Sequence, residues 1–205
     1  MEITISVVCY NWKEDTYIDR HPLSFKKTFT ILLISKILYL SLQQITQIPM
    51  SEAELLLVNN ADGCTIYTIQ FLAENESEFE RFYTKFKDDA EYNPDLMRIV
   101  ALINKIADMG ALERYFRPEG KLNDSVCALP IMQSKLRLYC LRLSDKILIL
   151  GNGGVKKTRT YNEDDTLKGY VLTLQNFEKL IKEGEKDGTI TITANTIETD
   201  KTFDI

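Results

Sequence analysis

The stretch Lys135-Leu136-Arg137-Leu138-Tyr139-Cys140-Leu141-Arg142-Leu143 is followed by Ser144-Asp145, then Lys146-Ile147-Leu148-Ile149-Leu150, Gly151-Asn152-Gly153-Gly154 and Val155-Lys156-Lys157-Thr158. Apolar residues alternate through its first run with a period of two, the signature of a strand with two different faces. Arg137, Tyr139 and Leu141 fall on one face, and Leu136, Leu138, Cys140 and Arg142 on the other. Ser144-Asp145 is a two-residue connection, so the spacing predicts a tight antiparallel hairpin between 135–143 and 146–150. Gly151-Asn152-Gly153-Gly154 reads as a flexible turn. It is not a P-loop, because no Lys-Ser/Thr pair follows at the required spacing.

Outward from this hairpin, 125–132 (SVCALPIM) reads as a further strand, and a helix is expected over about 162–182. Leu167, Val171, Leu174, Phe177, Leu180 and Ile181 would form that helix's inner side. Beyond Gly184, TITIT and NTIETDKTFDI suggest a C-terminal hairpin. Upstream, Phe79, Phe82, Tyr83 and Phe86 recur at helical spacing behind a cap at Asn75 or Ser77. A second helix opens at Asn93-Pro94 and closes at Met109-Gly110. The two form a helical hairpin. Before them, 64–72 (CTIYTIQFL) alternates like a strand and follows the turn cluster Asn59-Asn60-Ala61-Asp62-Gly63. Residues 3–10 (ITISVVCY) also read as a strand. The apolar run 29–42 is interrupted by Lys36 and is shorter than the ~20 residues a membrane span needs. Residues 1–49 are either part of the protein or an upstream appendage, with Met50 as a second candidate start.

The chain of 205 residues is 44% hydrophobic and 27% charged, a globular composition that excludes chain-wide disorder, collagen and coiled coil. Its net charge of −5 is unevenly spread. Residues 111–161 carry 10 basic and 4 acidic side chains, while 51–110 carry 5 and 12. A basic segment between acidic ones suggests a focused anionic target rather than general coating of nucleic acid. Cys9, Cys64, Cys127 and Cys140 stand singly, which excludes finger-type zinc sites and argues against a disulfide framework. His21 is the only histidine. Chemistry that needs two histidines is therefore excluded.

Strand, two helices, antiparallel meander, basic segment and helix form an order that resembles the RelE/ParE superfamily of toxin–antitoxin toxins, nearest its HigB-like, phage-derived branch. The likeness covers about 64–182. It rests on the helical hairpin ending at Gly110, on Arg117-Pro118-Glu119-Gly120-Lys121-Leu122, on the arginine-bearing strand 135–139, and above all on 147–158 (ILILGNGGVKKT), which is similar to the family's hydrophobic strand leading into Lys-Lys-Thr. Glycine or asparagine stands where that family carries a histidine. The resemblance implies an α+β fold: a helical hairpin packed on a small antiparallel sheet, here with an N-terminal extension (1–60), a core domain (61–184) and a C-terminal β-hairpin or tail (185–205). It also implies a cytoplasmic toxin that cuts mRNA on the ribosome, with no metal and no small-molecule cofactor. A cognate antitoxin, of a kind that usually carries a helix-turn-helix domain, would neutralise it. The alternative on the same scaffold is a non-enzymatic binding protein, of gyrase-poison type or a phage-derived interaction protein, with the hairpin 79–89 as its contact.

RNA cleavage without metal needs a base for the 2′-hydroxyl, cations for the charge on phosphorus, and an acid for the leaving oxygen. Where histidine is lacking, lysine or tyrosine must act as acid and base and arginine as the clamp. Lys156, Lys157, Arg159 and Tyr161 supply those types within six residues. Crowding of the two lysines would favour the neutral, basic form of one of them. Arg137 and Lys121 would converge from neighbouring elements, and Arg114 and Arg117, flanking Phe116, would bind RNA and stack on bases. Each has a plainer reading: a solvated basic edge for 156–159, a packed structural arginine for Arg137, a helix-cap aromatic for Tyr161, and solvent-facing charges for Arg114 and Arg117.

Overall fold

The computed structural model of the chain describes residues 51–119, 125–130 and 133–205. The expected strand at 3–10, the apolar run 29–42, His21, Cys9 and Lys121 lie outside the described residues. Nine strands and three α-helices are present among those described. The strands are β1 (Glu52–Asn60), β2 (Thr65–Phe71), β3 (Arg117–Pro118), β4 (Val126–Pro130), β5 (Leu136–Arg142), β6 (Ile147–Val155), β7 (Thr191–Ile192), β8 (Ile197–Glu198) and β9 (Phe203–Asp204). The helices are α1 (Glu78–Phe86), α2 (Asn93–Met109) and α3 (Asp165–Asp187).

Local chemistry accounts for the helix ends. Ser77 opens α1 with a capping box: its N–H donates to the Glu80 carboxylate at 2.8 Å, and the Glu80 N–H donates to the Ser77 hydroxyl at 3.3 Å. Pro94 occupies the first turn of α2. The Asp164 carboxylate accepts from the N–H groups of Thr166 and Leu167 at 3.0 and 3.1 Å, starting α3. Gly188, in the left-handed region, ends it.

Seven strands form one sheet in the order β3-β4-β5-β6-β2-β1-β9. Every neighbouring pair is antiparallel except β2 and β6, which run parallel from Thr65↔Ile147 to Thr68↔Leu150. β7 and β8 form a separate two-stranded hairpin. Helices cover both faces. Phe82 and Phe86 of α1 and Leu96, Ile99, Ile103 and Ile106 of α2 pack on Ile66, Leu136, Leu138, Leu148 and Leu150. Leu167, Val171, Leu174, Phe177 and Ile181 of α3 pack on Tyr67, Ile69, Tyr139, Leu141 and Ile149 of the opposite face. The chain is thus a mixed α+β protein with a mostly antiparallel sheet, and the period-two reading of 135–143 matches the two faces of β5.

Four expectations need correction. The sheet is larger than a small antiparallel one and contains a parallel pair. The boundary expected after residue 60 falls between Pro49 and Met50, because β1 pairs with β2 along Ala53–Asn60. Residues 185–205 hold a hairpin, β7–β8, but the boundary expected at 184 falls inside α3, and β9 joins the main sheet through Ala53↔Phe203. Gly151-Asn152-Gly153-Gly154 is the second half of β6, not a turn. Its glycines permit close packing: a Cβ on Gly151 would lie 3.0 Å from Leu174, one on Gly154 would lie 3.0 Å from Leu167, and one on Gly153 would lie 2.0 Å from the Arg137 carbonyl oxygen. Between Leu138↔Gly153 and Cys140↔Leu150 the register slips by one residue, a bulge that holds Gly151 and Asn152 against Tyr139.

Candidate functional site

The bulge and the alternation of β5 together build a polar cluster at the α3 end of the sheet. Arg137 and Tyr139 point to the α3 face. Gly154 is the ladder partner of Arg137, and the Lys156 N–H donates to the Lys135 carbonyl at 2.8 Å, so the ladder carries Lys156 one step past β6 on that same face. Lys156 Nζ lies 3.7 Å from a carboxylate oxygen of Glu119, with only 12% and 8% of the two side chains exposed. Glu119 follows β3 and is tied to β4 by its N–H, which donates to the Val126 carbonyl at 3.3 Å. Tyr161, in the 3-10 turn before α3, sets its ring edge-on to Tyr139 with centroids 6.4 Å apart.

Three atoms here are buried without a hydrogen-bond partner among the described residues: Glu119 Oε1, Arg137 Nε and the Tyr139 hydroxyl. A terminal nitrogen of the Arg137 guanidinium donates to the carbonyls of Ser134 and Leu136 at 2.9 and 2.8 Å. Burial, followed by the Glu119 charge and opposed by Arg137, pushes the Tyr139 phenol well above its usual range. It stays protonated at any physiological pH, a neutral donor inside a charged ring of groups. Asp164, the cap of α3, acts on both Tyr139 and Tyr170 and links this cluster to a second one. In the second, the buried Glu78 meets Arg81 at 3.0 Å and the Asn152 side chain, and burial raises its carboxyl above the ordinary value.

Arg137, Lys156 and Tyr161 therefore come together from three elements, while Lys157 and Arg159 face solvent on the segment between β6 and α3. Lys156 turns inward to a carboxylate, so it and Lys157 do not form the like-charge pair expected from their adjacency. Arg117 is exposed and is the ladder partner of Ala128, itself the partner of Tyr139, which puts all three in one row across the sheet. Arg114 is separate from them. Its guanidinium lies 5.2 Å from the centroid of the Tyr115 ring, and Phe116 packs against the helical-hairpin core rather than standing free for a base. In the hairpin 79–89, Phe82 and Phe86 are core and Phe79 is half-buried, while Tyr83 is exposed among the exposed charges of Glu80, Arg81, Lys85, Lys87 and Asp88.

Nothing local in the sequence marks Glu119, Glu78 or Asn152 as members of these clusters. The signal for Tyr139 was present, since it shares the Arg137 face of an alternating strand. Glu119 gave none, because its neighbour Lys156 is distant in sequence and the contact is tertiary.

Together these features define a mixed α+β protein carrying a buried cation–carboxylate–phenol cluster beside exposed lysine and arginine. Among the described residues no helix is long and apolar enough to cross a membrane. Comparison with protein-family models, with curated proteins and with solved structures finds no match to this chain.

Proposed function

We propose that this chain is the toxin of a toxin–antitoxin pair: a cytoplasmic endoribonuclease of RelE/ParE type that cuts mRNA on the ribosome. A small antitoxin, of helix-turn-helix type, holds it in check. The observation that carries this reading is the convergence of Arg137, Lys156 and Tyr161 around Tyr139, with Lys157 and Arg159 exposed beside them. Cations next to phenols are the groups that histidine-free phosphodiester cleavage needs. Lys157 and Arg159 are free to meet phosphate, and their contribution to binding weakens with salt. Tyr161, half-buried at the rim, is the group placed to exchange a proton with substrate. Glu119 and Tyr139 lie deeper and support Lys156 and Arg137.

Pulse induction in bacteria with genome-wide mapping of mRNA 5′ ends tests this. The informative variant is Lys157→Ala with Arg159→Ala, because both side chains are exposed and their loss leaves the core intact. New 5′ ends within translated frames, abolished or reduced at least about tenfold in the variant, a loss of about 1.4 kcal/mol of transition-state binding, are the expected result. Growth arrest without new ends would sink the nuclease reading and point to a protein target.

A further inference from the structure

On the other face of the same two strands, beneath the helical hairpin, Cys127 of β4 and Cys140 of β5 are direct ladder partners. Their Sγ atoms are 3.8 Å apart, in van der Waals contact. Each thiol leans across the ladder: Cys127 Sγ lies 3.6 Å from the Cys140 carbonyl oxygen, and Cys140 Sγ lies 3.6 Å from that of Cys127. The Arg142 N–H donates to the Ser125 carbonyl at 3.0 Å, so that pair and, two residues on, the cysteine pair are of the type that exchanges backbone hydrogen bonds. Such partners have Cα atoms about 5.5 Å apart, inside the ~4.4–6.8 Å window that a disulfide spans. Bond formation needs an approach of about 1.8 Å between sulfurs, to reach the ~2.0 Å of an S–S bond. Rotation of two side chains that already lean toward each other, with a small closing of the ladder at this pair, supplies that.

We propose that Cys127 and Cys140 are a reversible redox couple, oxidised to a cross-strand disulfide by a peroxide. Cys127, the less buried of the two, is the attacking sulfur, while burial keeps the Cys140 thiol protonated. The Cys127 thiolate attacks one peroxide oxygen, the O–O bond breaks, and one oxygen leaves as water after protonation. The resulting sulfenic acid is attacked by Cys140 sulfur. The S–O bond breaks, the S–S bond forms, and the hydroxyl leaves as a second water. Two thiols and one peroxide thus become one disulfide and two waters. At a hydrogen-bonded pair the Cβ atoms stand farther apart than at the alternating class, so the bond closes under tension and is readily reduced again. Cys64, also under the hairpin, is an internal control. Its thiol is pushed up to about 11 by burial, and it donates to the Thr65 carbonyl at 3.5 Å. The couple stands independently of what the polar cluster on the opposite face does.

The test uses the folded wild-type full chain. It is treated with hydrogen peroxide, denatured in an alkylating reagent, and analysed by intact mass and peptide mapping. The expected result is a peptide joining Cys127 to Cys140, lighter than the two free thiols by two hydrogens and separated by dithiothreitol, with Cys64 recovered alkylated. In Cys140→Ser, Cys127 should stop at the sulfenic acid and be captured by dimedone. Recovery of both Cys127 and Cys140 as alkylated thiols after peroxide would overturn the proposal. So would linkage of Cys127 to Cys9 or Cys64. The decision rests on the wild-type protein, so a poorly folding variant does not affect it.

Discussion

Lys156 and Lys157 are adjacent in sequence and opposite in surroundings. Lys156 is folded under the α3 end of the sheet against Glu119, and Lys157 is in solvent. Removing one partner of a buried pair strands the other charge, which costs about 3 kcal/mol or more. Lys156→Met should therefore lower the urea midpoint sharply. The double variant Lys156→Met, Glu119→Gln should recover a large part of the loss, because it leaves no unpaired charge. Equal midpoints for wild type and Lys156→Met would show that the ion pair is not formed in solution. At this scale the sequence was partly legible. Alternation alone set Tyr139 beside Arg137, but nothing local marks Glu119 as the carboxylate that Lys156 meets.

At the scale of the element, β6 is the instructive case. Glycines read from sequence as punctuation, and 151–154 does look like a turn. The strand continues because its neighbours approach too closely for side chains: α3 on one side and the β5 backbone on the other. The three glycines differ in how that closeness could be relieved. At Gly154 a Cβ meets the tip of Leu167, which can move. At Gly153 it meets the Arg137 carbonyl, which cannot move without breaking the ladder. Gly153→Ala should accordingly abolish the cooperative thermal transition or shift it by several kcal/mol. Gly169→Ala, on the open side of α3 with nothing within 4 Å, should instead stabilise by roughly 0.5–1 kcal/mol, since alanine loses less entropy in a helix. A thermal melt of both variants checks the pair, and a neutral Gly153→Ala would contradict the bulge. The helix start at Ser77 is one of the two caps the sequence offers, because capping is chemistry within three residues, and α3 opens at Asp164, two residues past its expected start.

At the scale of the whole molecule, the ends of the described chain meet. Ser51 and Ile205 exchange backbone hydrogen bonds of 3.0 Å, and Phe203, 1% exposed, stacks on Phe177 of α3 with centroids 4.4 Å apart. A chain of residues 50–205 should therefore fold and unfold in one cooperative transition. Within it, Phe203→Ala should cost about 3 kcal/mol or more, the usual penalty for emptying a buried aromatic site. An unchanged denaturation midpoint would mean that β9 is not docked. The sequence by itself determined the presence of the three helices, the Ser77 cap and the Pro94 and Gly110 ends of the first two, the two faces of β5 and the concentration of positive charge between residues 111 and 161, all of them set by spacing and neighbours within a few residues. Only the tertiary structure decided that β1 and β9 complete the sheet, that β2 runs parallel to β6, that glycines continue a strand, and that Glu119 and Tyr139 lie among Arg137, Lys156 and Tyr161. Those are contacts between distant segments, and their energy resides in packing and burial that no short window of residues contains.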